Sequence, residues 1–116
     1  MTPEKLRAYC LSLPATEESM PFDDNTLVFK VGGKIFALLD LDEETSINLK
    51  CETEKIPELQ DYFCAVIPGY HMNKKHWITV LLNRDVSDKQ LFEWVKNSYF
   101  LVISKLGKPL RNGLAH

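Results

Sequence analysis

Apolar residues recur at helical spacing in two well-marked segments, one near each end of the chain. The first follows Thr2 and Pro3, which suit the N-cap and the first turn of a helix. The second begins at Ser87, where the letters SDKQ match a capping box and an apolar stripe follows, and Gly107 and Pro109 are expected to end it. A third, shorter helix is predicted at residues 54–63, with Tyr62 on its inward side.

The segments between these helices have the composition and the two-residue period of strands. TLVFKV and KIFALLDL flank a Gly-Gly pair, which predicts a β-hairpin in which Val31 opposes Lys34 and Phe29 opposes Phe36. SINLKC alternates as a half-buried strand does, AVI is a brief strand, and WITVLLN is apolar enough for a central one. The polar segment PATEESMPFDDN is predicted to be a surface loop.

The predicted element order is therefore α-β-β-β-α-β-β-α. Hairpin connections make the first strands antiparallel, and the absence of regular strand-helix alternation argues against a doubly wound sheet. The sequence predicts an α+β fold, a two-layer sandwich of an antiparallel sheet with helices packed on it. Neither a repeat nor a linker divides the chain, so we expect one domain over residues 1–116.

Composition excludes several classes of protein. With 45% hydrophobic and 26% charged residues, the chain has the composition of a folded globular domain. No segment approaches the ~20 apolar residues of a membrane span, and MTPEKLRAYC lacks the apolar region of a secretory signal. We therefore expect a cytoplasmic protein without membrane contact. Cys10, Cys51 and Cys64 show no CxxC spacing and are expected to be reduced thiols.

Charge is unevenly distributed behind the formal net charge of −2. Residues 1–58 contain 6 Lys or Arg against 12 Asp or Glu, whereas residues 59–116 contain 8 against 4. This excludes a uniformly basic nucleic-acid-binding domain but permits a basic face formed mainly by the second half. The acidic and basic halves could equally pair with each other in the fold.

The segment PGYHMNKKHW, residues 68–77, concentrates candidate binding chemistry between two apolar segments. Pro68 and Gly69 suit a turn, and Trp77 opens an apolar strand, so its expected role is core packing. The positions from His71 to Lys75 then remain available for binding.

Anion binding is the chemistry that this segment favours. Lys74 and Lys75 can contact phosphate as point charges, Asn73 can donate hydrogen bonds, and a neighbouring tyrosine or tryptophan could stack on a base. Other cations are available in Lys30, Lys34, Lys50 and Arg84. Either Lys30 or Lys34 could extend the patch, since the hairpin register places the two on opposite faces. A solvated surface charge is an equally good explanation of the two adjacent lysines.

Catalytic and metal-binding interpretations have weaker support. His71 and His76 could supply two metal ligands and Cys64 a third, but a metal site generally needs three or four ligands in compatible geometry. Ser98 lies in a predicted helix without the GxSxG context of a nucleophile. We therefore expect no metal, no cofactor and no catalytic residue.

Four stretches of the chain, LSLPATEES, FKVGGKIFALL, VIPGYHMNKKHWITV and NSYFLVISKL, resemble the MmcQ/YjbR family of small bacterial proteins. The resemblance covers nearly the whole chain, and its most specific element is PGYHMNKKHW followed by an apolar strand. It implies a compact α+β domain and brings with it a label of DNA binding. Matched position by position, the family motif points to His71, Asn73, Lys74, Lys75, His76 and Trp77, with Lys34 and Ser98 as secondary positions.

The leading hypothesis from the sequence is a non-enzymatic protein that binds DNA, or another polyanion, through the basic loop at His71 to Lys75. Two alternatives remain open. One is a protein-interaction module that uses an exposed sheet face or the acidic first half. The other is a small-ligand site at the same loop, which would require a pocket where a histidine and a lysine converge.

Overall fold

Six antiparallel strands form one sheet, and three helices complete the part of the chain that the computed structural model describes, which is residues 1–42, 44–69 and 72–106. The helices are α1 (Pro3–Ser12), α2 (Ile56–Tyr62), which follows a 3₁₀ turn at Thr53–Lys55, and α3 (Asp88–Ile103). The strands are β1 (Thr16–Ser19), β2 (Thr26–Val31), β3 (Lys34–Asp40), β4 (Ser46–Lys50), β5 (Val66–Pro68) and β6 (Trp77–Leu81). Their order in the sheet is β1-β2-β3-β4-β6-β5. The predicted α+β class is confirmed.

Local signals start the two longer helices where the sequence predicts. The backbone N–H of Lys5 donates to the Thr2 hydroxyl at 3.2 Å, and that of Gln90 donates to the Ser87 hydroxyl at 3.1 Å. Both contacts satisfy an N–H that has no partner within its own helix. The capped helix α3 then packs across β2, β3 and β4.

The sheet carries a separate apolar cluster on each face. Inward-facing strand residues such as Phe29 and Ile47 join Val95 and other helix residues in the main core. The opposite face carries a smaller cluster of Val28, Leu38 and Trp77. Met72, from the connection between β5 and β6, packs on this second cluster. We call this side of the sheet the outer face.

Three details differ from the sequence prediction. Strand β1 lies in the segment predicted to be loop, where it pairs with β2 as an edge strand although its sequence is polar. Phe29 opposes Ala37 instead of Phe36, because a β-bulge shifts the register of β2 and β3. Tyr62 is 80% exposed and does not face the core.

The Gly-Gly hairpin is confirmed, and Val31 pairs with Lys34 as predicted. Gly32 and Gly33 have φ values of +58° and +79°, the left-handed region that glycine adopts without strain. A Cβ on Gly32 would lie 2.7 Å from Leu106, so the hairpin tip touches the chain just beyond α3. Residues from 107 onward, including the glycine and proline expected to stop the last helix, lie outside the described residues.

The connections at the two ends of the sheet carry opposite charge. Asp40 pairs with Thr26 and with Ser46, and Ser46 pairs with Leu81. The connections that precede β2, join β3 to β4 and follow β6 therefore share one end of the sheet. We call this the acidic end and define it by Asp23, Asp40, Asp42 and Glu44. The hairpin tip, the segment after β4 and the connection before β6 share the other end. We call it the basic end and define it by Lys34, Lys50, Lys74, Lys75, His76 and Lys105.

Candidate functional site

A cleft at the basic end brings together three cationic or potentially cationic side chains from three separate segments. It has a volume of about 340 Å³, and Lys50, His76 and Lys105 line it. The hydrogen bond from the Cys51 N–H to the His76 carbonyl, at 2.8 Å, holds the segment after β4 against the start of β6. The Thr53 hydroxyl lies 3.1 Å from His76 Nδ1 and fixes the orientation of the ring.

Two carboxylates also line this cleft, Glu52 and Glu54. Glu52 is already paired, since Lys55 Nζ lies 2.6 Å from one of its oxygens and the Asn97 amide donates to the other at 2.6 Å. These two partners help to hold the Glu52 pKa below its usual value, although burial acts in the opposite direction as the largest single influence. The Glu52 charge is therefore largely compensated within the protein.

A tight turn presents the two adjacent lysines beside the cleft. The Asn73 carbonyl accepts from the N–H groups of His76 and Trp77 at 3.0 and 2.9 Å. The Asn73 side-chain oxygen accepts from the Lys75 N–H at 2.9 Å, which is an Asx turn. The side-chain oxygen of Asn73 thus shapes the turn, and the side chains of Lys74 and Lys75 are exposed.

The predicted site residues do not all lie together. Lys34 belongs to the hairpin tip at the same end, beside the segment that carries Lys105, as the contact between Gly32 and Leu106 shows. Arg84, another cation available for binding in the sequence, lies at the acidic end, where its guanidinium is 2.5 Å from Glu44. His71 and the tyrosine before it lie outside the described residues.

Residues expected to shape the motif have identifiable structural contacts. Trp77 is 7% exposed and packs on the outer face with Val28 and Leu38. Pro68 is the last residue of β5, and Gly69 lies so close to β6 that a Cβ there would be 2.8 Å from the Trp77 carbonyl oxygen.

Ser98 joins two strands that separate near the basic end. Its side chain, 0% exposed, donates to the Phe36 carbonyl at 2.6 Å and accepts from the Lys50 N–H at 2.8 Å. The paired register of β3 and β4 stops one residue earlier, at Ala37 and Leu49. The Ser98 hydroxyl therefore replaces a backbone contact between these strands and fixes the position of Lys50.

The structure separates Cys64 from His76, two of the three groups considered as metal ligands. Cys64 lies at the acidic end, where its N–H donates to Asp85 at 2.7 Å, and His76 lies at the other end of the sheet. Within residues 1–42, 44–69 and 72–106, no group of three or more His, Cys, Asp or Glu side chains could hold a metal ion. Burial raises the pKa of Cys51 to about 11 and that of Cys10 to about 12.

Lys105 is the site residue that sequence reasoning missed. It lies just beyond α3, some thirty residues after the motif, and only the fold brings it to the cleft. Lys50 was recognisable as an available cation, but its position beside His76 depends on the pairing of β4 with β6. No helix of the described residues is long and apolar enough to cross a membrane.

Comparison with known proteins places this geometry among related chains. The model of the YjbR family matches residues 11–101. The uncharacterised protein YbdF of Escherichia coli O157:H7 is 40% identical over 106 residues, which cover 90% of this chain and 87% of YbdF. The uncharacterised protein YjbR of Escherichia coli K12 is 30% identical over 112 residues, covering 96% and 95% of the two chains.

Solved structures agree with the fold. A crystal structure of a Deinococcus radiodurans protein is similar with a TM-score of 0.89 and 40% identity, covering 98% of this chain and 88% of that one. A Pseudomonas syringae protein is similar with a TM-score of 0.77 and 28% identity, covering 87% and 98% of the two chains.

Proposed function

We propose that this chain, which belongs to the YjbR family, is a bacterial cytoplasmic protein that binds nucleic acid or another polyanion at the basic end of its sheet. The observation that carries the proposal is the cleft where Lys50, His76 and Lys105 meet, beside the turn of Lys74 and Lys75. Lysine side chains from separate segments can contact successive phosphates of one backbone as point charges.

The opposite charge of the two sheet ends supports this proposal. Asp40 and Asp42 lie at the far end of the sheet from Lys34 and Lys50, so a polyanion is attracted to one end and repelled from the other. The formal net charge of −2 is compatible with this mode of binding because local charge, not total charge, governs the contact.

Binding without catalysis is the second part of the proposal. The Cys10 and Cys51 thiols stay protonated because their pKa values are raised by burial, which makes both poor nucleophiles. The Ser98 hydroxyl is buried and engaged at both its donor and acceptor positions. These contacts account for the residues without assigning them a reaction.

Salt-dependent binding of labelled duplex DNA tests the proposal. With two to four phosphate contacts, the log-log dependence of affinity on salt has a slope of about −2 to −4. The double variants Lys74→Ala/Lys75→Ala and Lys50→Ala/Lys105→Ala should each reduce the magnitude of the slope by up to ~1.8, at ~0.9 for each phosphate that the variant no longer neutralises. Fluorescence anisotropy at several salt concentrations measures both quantities.

The matched control is Lys5→Ala/Lys89→Ala, which removes the same charge from α1 and from the far end of α3. It should retain the parental slope. Absence of binding by the parent at low salt, or equal losses in all three double variants, would contradict the proposal. Equal losses would indicate that only total charge matters.

A further inference from the structure

A second cleft, of about 390 Å³, opens on the outer face between the acidic end and Met72, which reaches across this face from the connection before β6. Three connections form its walls. Phe22 and Asp23 come from the one between β1 and β2, Asp42 from the one between β3 and β4, and Met72 from the one between β5 and β6. Its volume suits a metabolite-sized molecule.

The floor of this cleft contains a buried amide with unused hydrogen-bonding capacity. Asn48 lines the cleft, is 2% exposed, and accepts at Oδ1 from the Thr79 hydroxyl at 2.6 Å. Its Nδ2 donates to no group of the described residues. Among the buried side chains of those residues, Thr16 Oγ1 is the only nitrogen or oxygen atom that is both inaccessible to solvent and without a hydrogen-bond partner. Asn48 Nδ2 therefore reaches the open space of the cleft. This donor is therefore available to an acceptor oxygen of a molecule that enters the cleft.

Carboxylates give the cleft its charge. Asp23 and Asp40 line it, and both have oxygen lone pairs beyond those used by their hydrogen bonds to nearby chain. The Asn25 N–H donates to Asp23 at 2.8 Å, and this bond keeps the pKa of that carboxyl below its usual value. Among the described residues that line the cleft, there is no Lys, Arg or His.

Apolar groups complete the lining. Phe22 is 66% exposed, and Leu38 lies in the floor beside the point where Met72 packs on the outer face. An aromatic face and a thioether both attract the methylene groups next to a cationic centre. The cleft thus combines acceptors for a cation, one donor for an oxygen, and apolar contact between them.

We infer that this outer-face cleft binds a small organic cation. Its ammonium or guanidinium group pairs with Asp23 and Asp40, its short aliphatic chain lies between Phe22 and Met72, and a carbonyl or hydroxyl oxygen accepts from Asn48. The inference is independent of polyanion binding, since the two sites use different charged side chains and select opposite charges.

Three small probes separate these contributions. The compound ε-aminocaproamide carries an ammonium group, an aliphatic chain and a carbonyl, caproamide lacks the ammonium group, and hexylamine lacks the carbonyl. We expect ε-aminocaproamide to cause saturable NMR shifts at the Asn48 side-chain amide and the Met72 methyl at millimolar concentrations. Caproamide should bind about tenfold more weakly, because it cannot form the hydrogen bond between an ammonium group and a carboxylate. Hexylamine should leave the Asn48 amide unshifted.

Substitutions locate the site. Asp40→Asn keeps the side-chain shape and should weaken ε-aminocaproamide binding by about threefold to tenfold. Asp24→Asn, an equal charge change at an exposed neighbour that does not line the cleft, should leave the affinity unchanged. The backbone amide spectrum of each variant verifies that it is folded.

Three results would overturn the inference. They are the absence of a saturable shift with ε-aminocaproamide, equal binding of caproamide, and an equal loss in Asp24→Asn and Asp40→Asn. None of them bears on DNA binding at the basic end, which the lysine variants test separately.

Discussion

Replacing Ser98 by alanine removes the hydroxyl that joins β3 to β4 where their paired register stops. The substitution leaves a backbone carbonyl at Phe36 and a backbone N–H at Lys50 without the partners they have at 2.6 and 2.8 Å. Each buried polar group left unsatisfied costs about 1–3 kcal/mol. Partial access of water to the half-buried Lys50 reduces its share, so we expect a loss of about 2–4 kcal/mol in the free energy of unfolding.

Urea unfolding monitored by circular dichroism measures this loss, with Ser104→Ala as the control. Ser104 is an exposed serine just after α3, and its hydroxyl donates to the Leu101 carbonyl at 2.7 Å. Its removal should cost less than ~0.5 kcal/mol, because water can replace the bond. A Ser98→Ala loss no larger than that of Ser104→Ala would refute the assigned role of the hydroxyl. An unchanged m-value establishes that the two unfolding transitions are comparable.

Three further predictions concern packing, charge and thiol access. Gly69→Ala should cost about 1–3 kcal/mol, since its Cβ would lie 2.8 Å from the Trp77 carbonyl oxygen; parental stability in urea would contradict the close approach. Asp85 accepts from the N–H groups of Cys64 and Ala65, and these bonds, with that of Cys64 the larger influence, lower its pKa below the usual value of an aspartate. A carboxyl whose pKa is lower in the folded than in the unfolded protein stabilises the fold at pH values above its unfolded pKa. The greater stability of the parent over Asp85→Asn should therefore disappear as the pH falls through the pKa of Asp85 in the folded protein. A pH-independent difference in urea midpoint would exclude this origin. Finally, a thiol reagent should modify only the exposed Cys64 in the folded protein and all three cysteines in urea; rapid modification of more than one folded thiol would contradict the burial of the other two.

The parts of the fold that local signals encode were predictable from the sequence. Thr2 and Ser87 cap their helices through side-chain contacts within a few residues, and the two glycines of the hairpin adopt the backbone angles that its turn requires. Strand β1 was not predictable in this way because its residues, TEES, have little strand propensity. It forms by pairing with β2, and the Arg7 guanidinium on α1 anchors it through two hydrogen bonds to Glu18, at 2.5 and 2.8 Å.

The candidate site was predictable only in its contiguous part. The motif identified Lys74 and Lys75, and it identified Trp77 as a packing residue. It could not show that Lys105 reaches the same end of the sheet, since that depends on how α3 crosses the strands. Similarly, Arg84 is close to the motif in sequence but lies at the acidic end, because a full strand separates the two positions.

The positions of the strand connections explain why acidic and basic residues separate by sheet end in the fold, whereas along the sequence they separate by chain half. A connection between two paired antiparallel strands stays at one end of the sheet, so the β1–β2 and β3–β4 connections lie at the acidic end and the β2–β3 and β5–β6 connections at the basic end. Strands β4 and β5 are both antiparallel to β6, so the chain between them, which contains α2, crosses from the basic end to the acidic end. Asp40 and Asp42 flank the end of β3, whereas Lys34 and Lys50 lie at the opposite ends of β3 and β4, although all four belong to the acidic half of the chain. Lys50 lies at the same end as Lys75 because β4 pairs with β6, and the sequence alone does not show that pairing. Under the proposed function, this separation of charge attracts a polyanion to the basic end and repels it from the acidic end.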